Sequence, residues 1–481
     1  MRIVFAASEA APFLKTGGLG DVAEALPQAL SQQKGNEVCV FLPYYKKIKQ
    51  NPNIKTEFVK SFAVNLAWRA QHVGVFKLKS LKRKLKVYFI GNEYYFGGRD
   101  SVYGDGDDGE RFAYFSKAIL ESLVELNLRP DVIHCNDWQT ALIPNFLNAF
   151  YNEALGDVKT VFTIHNIEYQ GKADPYFICD TLGLPEEYTN TMLFDGCVNF
   201  MKGAVLSCNA LTTVSRTYAE EIKYPYFAHG LSDVISEHEF KLSGIVNGIN
   251  TETNNPALDK ALFANYNLQS FKKGKSENKR ASQKKLGLPE RDDVAVIGMG
   301  TRLVSHKGLD LICAVIDELM NWDIQLVIIG TGDSVYENRL RAAAERNPDK
   351  FSLNLCFDSC FASQVYAASD IYLMPSKSEP CGLSQLIAMR YGTIPVVNAT
   401  GGLRDTVVPF NRESGEGVGF TFQSFNCDDM LGALRRALEV YGGDKNAWET
   451  IVKNAMNRDS SWNQSAKEYT KLYENLISDK A

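Results

Sequence analysis

Short continuous apolar runs recur along the chain: IVFAAS, VCVFL, VYFIG, DVIHC, TVFTIH, ALTTV, VAVIGMG, IQLVIIG, LNLCF, IYLMP and IPVVN. Several are separated by segments of helical period, such as Asp310 to Met320. Strands alternating with helices predict parallel sheets covered on both faces. The runs are too many for one open sheet, so the pattern predicts an α/β protein of two doubly wound domains. The rhythm lapses after GIVNGIN, Gly244 to Asn250, and resumes at Val294. This places the first domain at 1–247, the second at 248–457 and a terminal segment at 458–481. Between the two strand series lies FKKGKSENKRASQKK, expected to be a solvated helix rather than a polyanion site. Near the chain end Trp462, Ala466, Tyr469 and Tyr473 recur at helical spacing and predict an amphipathic helix over 462–477.

Length agrees with two cores, since 481 residues exceed what one hydrophobic core usually holds. A hydrophobic fraction of 45%, a charged fraction of 23% and a net charge of -5 are ordinary for a globular chain and argue against a nucleic-acid partner. The ten cysteines are scattered, and Cys356 and Cys360 lack CxxC spacing, so reduced thiols are expected. Met1 leads almost directly into RIVFAAS without a secretory pattern, and no apolar run reaches the roughly 20 residues that span a bilayer. A cytoplasmic protein with no membrane partner is the default expectation.

The loops after the strands carry the candidate chemistry. KTGGLGDV, Lys15 to Val22, contains a formal GxGxxA match at Gly18 to Ala23. EAAPFLKT separates it from its strand, and VCVFLPYY ends without an acidic residue for a ribose, so a dinucleotide site fits poorly. The same groups suit a phosphate-bearing ligand: Gly17 and Gly18 admit close backbone approach, the helix from about Asp21 presents amides, and Lys15 supplies charge. Asp21 reads either as a helix cap or as an acceptor for sugar hydroxyls. In the second domain VIGMGTRLVSHKG places Arg302 and Lys307 after a strand, where open α/β sheets bind ligands. PSKSEPCGLSQ does the same for Glu379, with Gly382, Leu383 and Ser384 opening a helix as an anion site. In the first domain TIHNIEYQG presents His165 and Asn166, and HCNDWQTAL presents Asp137 and Trp138, a mixture of aromatic, amide and carboxylate groups suited to a sugar. No histidine spacing matches a metal site, and YGDGDDGE is expected to be a turn capping a helix from Arg111. The lysine-rich KLKSLKRKLK, Lys77 to Lys86, is expected to be a solvated hairpin.

Together these stretches, with YGDGDDGERF, GIVNGIN, TGGLRDTV and SSWNQSA, closely resemble the bacterial glycogen synthase and plant starch synthase family, in family order over nearly the whole chain. The resemblance implies a GT-B fold with a final helix returning to the first domain, and closure of the two domains around ligand. It also implies retaining transfer of glucose from ADP-glucose or UDP-glucose to the non-reducing end of an α-1,4-glucan, without a metal or other cofactor. By that resemblance Lys15, Gly17, Gly18, Asp21, Asn247, Arg302, Lys307, Phe357, Gly382, Leu383 and Ser384 attend the donor. Glu379 and His165 line the reacting centre, and Tyr95, Asp137, Trp138 and Asn166 serve the acceptor. Ile387 stands where many neighbouring GT-B families carry a second glutamate. Asn136 and Gln139 stand where many relatives have histidine, ETNNP lacks the common tryptophan before Pro256, and FDSCFASQVYAASD lacks the usual His and Arg around Ser363 and Gln364. Competing readings are a transferase for another acceptor, a catalytically inactive glucan-binding protein and a nicotinamide dehydrogenase.

Overall fold

The computed structural model describes residues 1–79 and 85–478; the middle of KLKSLKRKLK, 80–84, lies outside the described residues. The chain forms two compact units, one comprising Met1–Asn247 with the segment from Trp462 onward, the other Gly248–Ser461.

The first unit is built on a nine-stranded sheet. From one edge its strands are Leu242–Gly244, Ala210–Thr213, Lys159–Ile164, Val132–Asn136, Arg2–Ala6, Glu37–Pro43 and Leu85–Gly91, all parallel, followed by the antiparallel pair Arg69–Leu78 and Thr56–Leu66. Ile3 to Ala6 and Val132 to Asn136 are buried throughout, which is why these central strands read as unbroken apolar runs. Helix Gly18–Gln32 buries Val22, Leu26 and Leu30, one stripe at intervals of one turn. Helix Trp462–Ser478 buries Trp462, Ala466, Tyr469 and Tyr473, and its Tyr473 hydroxyl meets His134 Nδ1 at 2.7 Å.

The second unit has a six-stranded parallel sheet in the order Phe351–Asn354, Ile324–Ile329, Ala295–Gly300, Ile371–Met374, Ile394–Asn398, Phe420–Phe422. Numbered within the unit, this is the doubly wound order 3-2-1-4-5-6. Chain direction through the sheet reverses between Ala295–Gly300 and Ile371–Met374 in this unit, and between Arg2–Ala6 and Val132–Asn136 in the first. At such a reversal the loops at the strands' carboxyl ends diverge and leave a crevice.

Some elements depart from the sequence pattern. The hairpin Thr56–Leu66 with Arg69–Leu78, and the small sheet Lys172–Ala173, Cys197–Asn199, Leu193–Phe194, have no apolar run because they are short or largely exposed on one side. The LNLCF strand is shifted to Phe351–Asn354. The acidic loop precedes a helix that starts at Asp108 rather than Arg111. The basic segment forms helix Phe271–Leu286, but it is not solvated all round. Lys279 is buried, with its ammonium donating to Asp370 Oδ2 at 2.8 Å and to Val294 O at 2.6 Å. Lys275 donates to Ala367 O, Ser369 O and Thr393 Oγ1, at the carboxyl end of helix Ser359–Ala368. A cation there satisfies orphan carbonyls and opposes the helix dipole, while burial pulls the Lys275 ammonium down to about 7.

Candidate active site

In the second unit, Met299 to Thr301 and Leu373 to Met374, the ends of the two strands flanking the reversal, line a cavity of about 60 Å³. Lys307, Ser376, Glu379, Gly382, Leu383 and Ser384 complete its wall. Glu379 is buried; its Oε2 accepts from Lys307 Nζ at 2.6 Å and from Ser376 Oγ at 3.0 Å. Two backbone devices hold these loops together. Gly308 has φ +79 and sits so close to Pro375 that a Cβ would lie 2.1 Å from its carbonyl oxygen. Gly401, φ +45, approaches the Glu379 carbonyl in the same way, and Gly402 N donates to that carbonyl at 3.0 Å. TGGLRDTV therefore buttresses the glutamate loop from behind. Arg302 is exposed, and among the described residues its guanidinium forms no hydrogen bond or ion pair. Lysine has three donors, so Lys307 can keep Glu379 and still offer two to an anion. Phe357 is 86% exposed, between strand Phe351–Asn354 and the Asp358 cap of the next helix.

In the first unit the glycine loop already has an internal anion. Buried Glu9, just beyond strand Arg2–Ala6, accepts from Thr16 N at 3.0 Å, Gly17 N at 3.1 Å and Gly20 N at 3.0 Å, and from the Thr16 hydroxyl. Sequence reasoning missed Glu9, although an acid placed directly after a strand end was a usable signal. A Cβ at Gly20 would lie 2.9 Å from Lys15 Cγ, so this glycine lets Lys15 fold over the loop; a Cβ at Gly18 would meet nothing within 4 Å. Lys15 Nζ pairs with Asp21 Oδ1 at 2.7 Å. Asp21 is not the cap: Gly17 occupies that position, and Asp21 lies inside the first turn, where a carboxylate favours the dipole.

His165, Asn166 and Asp137 converge at the neighbouring strand ends. Asp137 Oδ1 accepts from His165 N at 2.7 Å and Asn166 N at 3.4 Å. Burial pushes the Asp137 carboxyl up to about 7 against the stabilisation these amides give its charged form. Its backbone, φ 56 and ψ -179, is a conformation L residues rarely adopt, held by Asp137 N donating to Thr163 O at 3.0 Å. Asn136 Nδ2 donates to Ala6 O at 3.0 Å, which turns Asn136 Oδ1 toward His165 Nε2, 2.9 Å away. An oxygen acceptor there requires the Nε2–H tautomer and leaves Nδ1 as the acceptor. Desolvation holds the His165 imidazole down to about 3, so it is neutral near pH 7.

Other expected contacts are placed differently. Tyr95 is fully buried and donates its hydroxyl to Glu110 Oε1 at 2.5 Å, so it is closed to an acceptor; within its tight π-turn the adjacent Tyr94 points outward, 64% exposed. Trp138 is half-buried between Phe112 and Phe200. Asn166 Oδ1 is used locally, accepting from Glu168 N at 3.0 Å. Asn247 is buried at the end of the first unit, and among the described residues its Oδ1 has no hydrogen-bond partner. Asp105, Asp107 and Asp108 are close enough to share a cation, but Arg99 and Arg111 already pair with them.

Residues 2–237 match the starch synthase catalytic domain and residues 278–457 match glycosyl transferases group 1. A glycogen synthase from Clostridium novyi (strain NT) is 46% identical over 482 residues, covering 99% of both chains. One from Bacillus cereus (strain Q1) is 47% identical over 481 residues, covering 99% of this chain and all of the relative. The chain belongs to the glycogen and starch synthase family. The catalytic domain of Starch Synthase IV from Arabidopsis thaliana, solved bound to ADP and acarbose, is a structural neighbour of this family member, with a TM-score of 0.90 and 34% identity over 99% of each chain. A sucrose-phosphate synthase from Thermosynechococcus elongatus, 15% identical with a TM-score of 0.62, shares the fold. The family member thus has the GT-B fold and is a glycosyltransferase that moves glucosyl units in glycogen or starch synthesis. None of its described helices is long and apolar enough to cross a membrane.

Proposed function

We propose that the chain transfers glucose from ADP-glucose to the non-reducing end of an α-1,4-glucan with retention of configuration. The observation that carries this reading is the Lys307–Glu379 pair lining one cavity with Gly382 to Ser384, with Arg302, unpaired among the described residues, directly following the lining residue Thr301. A diphosphate placed there gains a guanidinium fork and the remaining Lys307 donors, so the leaving group is stabilised by fixed protein cations and needs no divalent metal.

Glu379 is already committed to Lys307 and Ser376, which suits it to hold donor hydroxyls and offset positive charge at the anomeric carbon rather than to act as a free nucleophile. With no nucleophile invoked, the acceptor hydroxyl attacks from the face the phosphate leaves, and the departing phosphate oxygen takes its proton. Neutral His165 accepts a sugar hydroxyl through Nδ1, and its orientation is set by Asn136 and Asp137. The exposed face of Phe357 suits nucleobase stacking. ADP in the starch synthase IV neighbour supports adenine as that base.

The test is incorporation of labelled glucose into glycogen from ADP-glucose and UDP-glucose in parallel, with excess EDTA in both. The expected result is ADP-glucose preference, EDTA-insensitive rate and new α-1,4 linkages. Equal rates from both donors would refute the strict ADP assignment, and EDTA inhibition the metal-free mechanism. Transfer to some other acceptor but not to glycogen would overturn the glucan.

A further inference from the structure

The most exposed large side chains of the first unit include Trp68, 74% exposed at the tip of the hairpin Thr56–Leu66 and Arg69–Leu78. An exposed tryptophan is ordinarily free to rotate, but this one is clamped. Its Nε1 donates to Asp180 Oδ1 at 3.1 Å, and the Arg69 guanidinium lies 4.3 Å from its ring centroid. Arg69 in turn donates to Asp180 O at 2.6 Å and Asp180 Oδ2 at 2.9 Å, and approaches Glu110 Oε2 at 3.8 Å. The backbone beneath is fixed too: Ala67 has φ 46, and the loop at Gly183 packs so closely that a Cβ there would lie 3.0 Å from Ala67 Cα.

Sheet register places this tip. Arg69–Leu78 pairs with Leu85–Gly91 only from Gly74 opposite Gly91 to Lys77 opposite Tyr88. Arg69 to Val73 therefore run past the carboxyl end of that parallel strand, toward the side of the sheet where Glu9, Asp137 and His165 lie. Tyr94, which follows the same strand end, is also exposed and carries the Arg99 guanidinium 5.1 Å from its ring centroid.

We infer that Trp68, framed by Arg69 and Asp180, is a binding platform for a distal stretch of an α-glucan whose non-reducing end is being extended. A rigid aromatic face takes the apolar C–H face of a pyranose, and polar groups at its rim take the hydroxyls. Charge selects the ligand class. Arg69 is matched by Asp180 and faces Glu110, so the patch attracts no phosphate or nucleic acid and favours a neutral polyhydroxylated chain. Because the ring is held before binding, ordering cost is small and even one stacked sugar adds affinity. The inference rests on the glucan-acceptor reading above.

The full chain and its Trp68→Ala and Trp68→Tyr variants are run through native gels containing glycogen, without donor, and assayed with ADP-glucose using glycogen or maltotriose as acceptor. For Trp68→Ala the platform requires roughly a fivefold to tenfold weaker glycogen retardation and a matching rise in KM for glycogen, about 1 to 1.4 kcal/mol. A distal platform requires turnover and KM for the three-sugar acceptor maltotriose to stay within about twofold, and Trp68→Tyr to recover most of the loss. Equal retardation of wild type and Trp68→Ala, or equal rises in KM for both acceptors, would overturn it. If the wild type transfers no glucose to glycogen, the function falls while the gel still decides the platform: Trp68-dependent retardation sustains it, and no retardation removes it.

Discussion

Glu379→Gln tests the charge coupling at the heart of the second unit. The carboxylate and the Lys307 ammonium lie 2.6 Å apart with side-chain exposures of 9% and 18%. At an effective dielectric of ~20 this separation corresponds to about 6 kcal/mol of gross attraction, much of it offset by desolvation. Removing one partner of a buried pair usually costs about 3–5 kcal/mol because the other charge is stranded. Glutamine keeps the volume and the Ser376 hydrogen bond, so about 3 kcal/mol is expected. For a unit of this size that is a fall of roughly 6–12 °C in its melting transition, read by calorimetry. Turnover should drop by about 100-fold or more if, as proposed, the Glu379 carboxylate offsets charge at the anomeric carbon. ADP affinity should move the other way: Lys307, released from its carboxylate, has a full charge for the diphosphate, and ADP should restore part of the lost melting temperature. A variant that melts within about 1 °C of wild type and turns over within about threefold would refute the coupling. A variant that loses both turnover and ADP binding would show a collapsed site rather than a missing charge.

Two further predictions concern the first unit. His134 and His165 are both held down to about 3 by burial, whereas Asp137 is pushed up to about 7. Between about pH 4 and 6.5 the unfolded chain therefore carries two extra histidine protons and the folded chain one extra aspartic acid proton, so stability rises with pH at about 1.4 kcal/mol per unit from these groups. Denaturant titrations across that window check the sign. Asp137→Asn should steepen the slope, and a flat profile that His165→Gln leaves unchanged would contradict the assignment. The glycine loop offers a paired contrast. Gly18→Ala meets open space and should leave melting unchanged while raising the donor KM, whereas Gly20→Ala displaces Lys15 and should lower both stability by about 1 kcal/mol and turnover. Identical effects from the two substitutions would contradict the loop geometry.

Much of this was legible in the residues themselves. The central strands are buried on both faces, so their apolar runs announced parallel sheets. Loops after those runs carried Lys15, Arg302, Lys307 and Glu379, because strand ends are where such sheets expose backbone and polar groups. The edge hairpin was invisible because Thr56–Leu66 is largely exposed and Arg69–Leu78 is only part-buried, and with it Trp68. Tyr95 and Tyr94 are adjacent aromatics that sequence cannot tell apart; the turn buries one and exposes the other.

Sequence alone thus determined the local chemistry: periodicity sets strand and helix, and composition sets which loops hold charge. Partnership was decided by tertiary structure. Lys307 meeting Glu379 and Asn136 fixing the His165 tautomer depend on strand order, while Glu9 filling the glycine loop and Lys15 folding over Gly20 to meet Asp21 depend on the loop's close backbone approach. Hydrogen bonds and ion pairs act over about 3 Å, and residues separated by tens of positions reach that distance only once the sheets have formed.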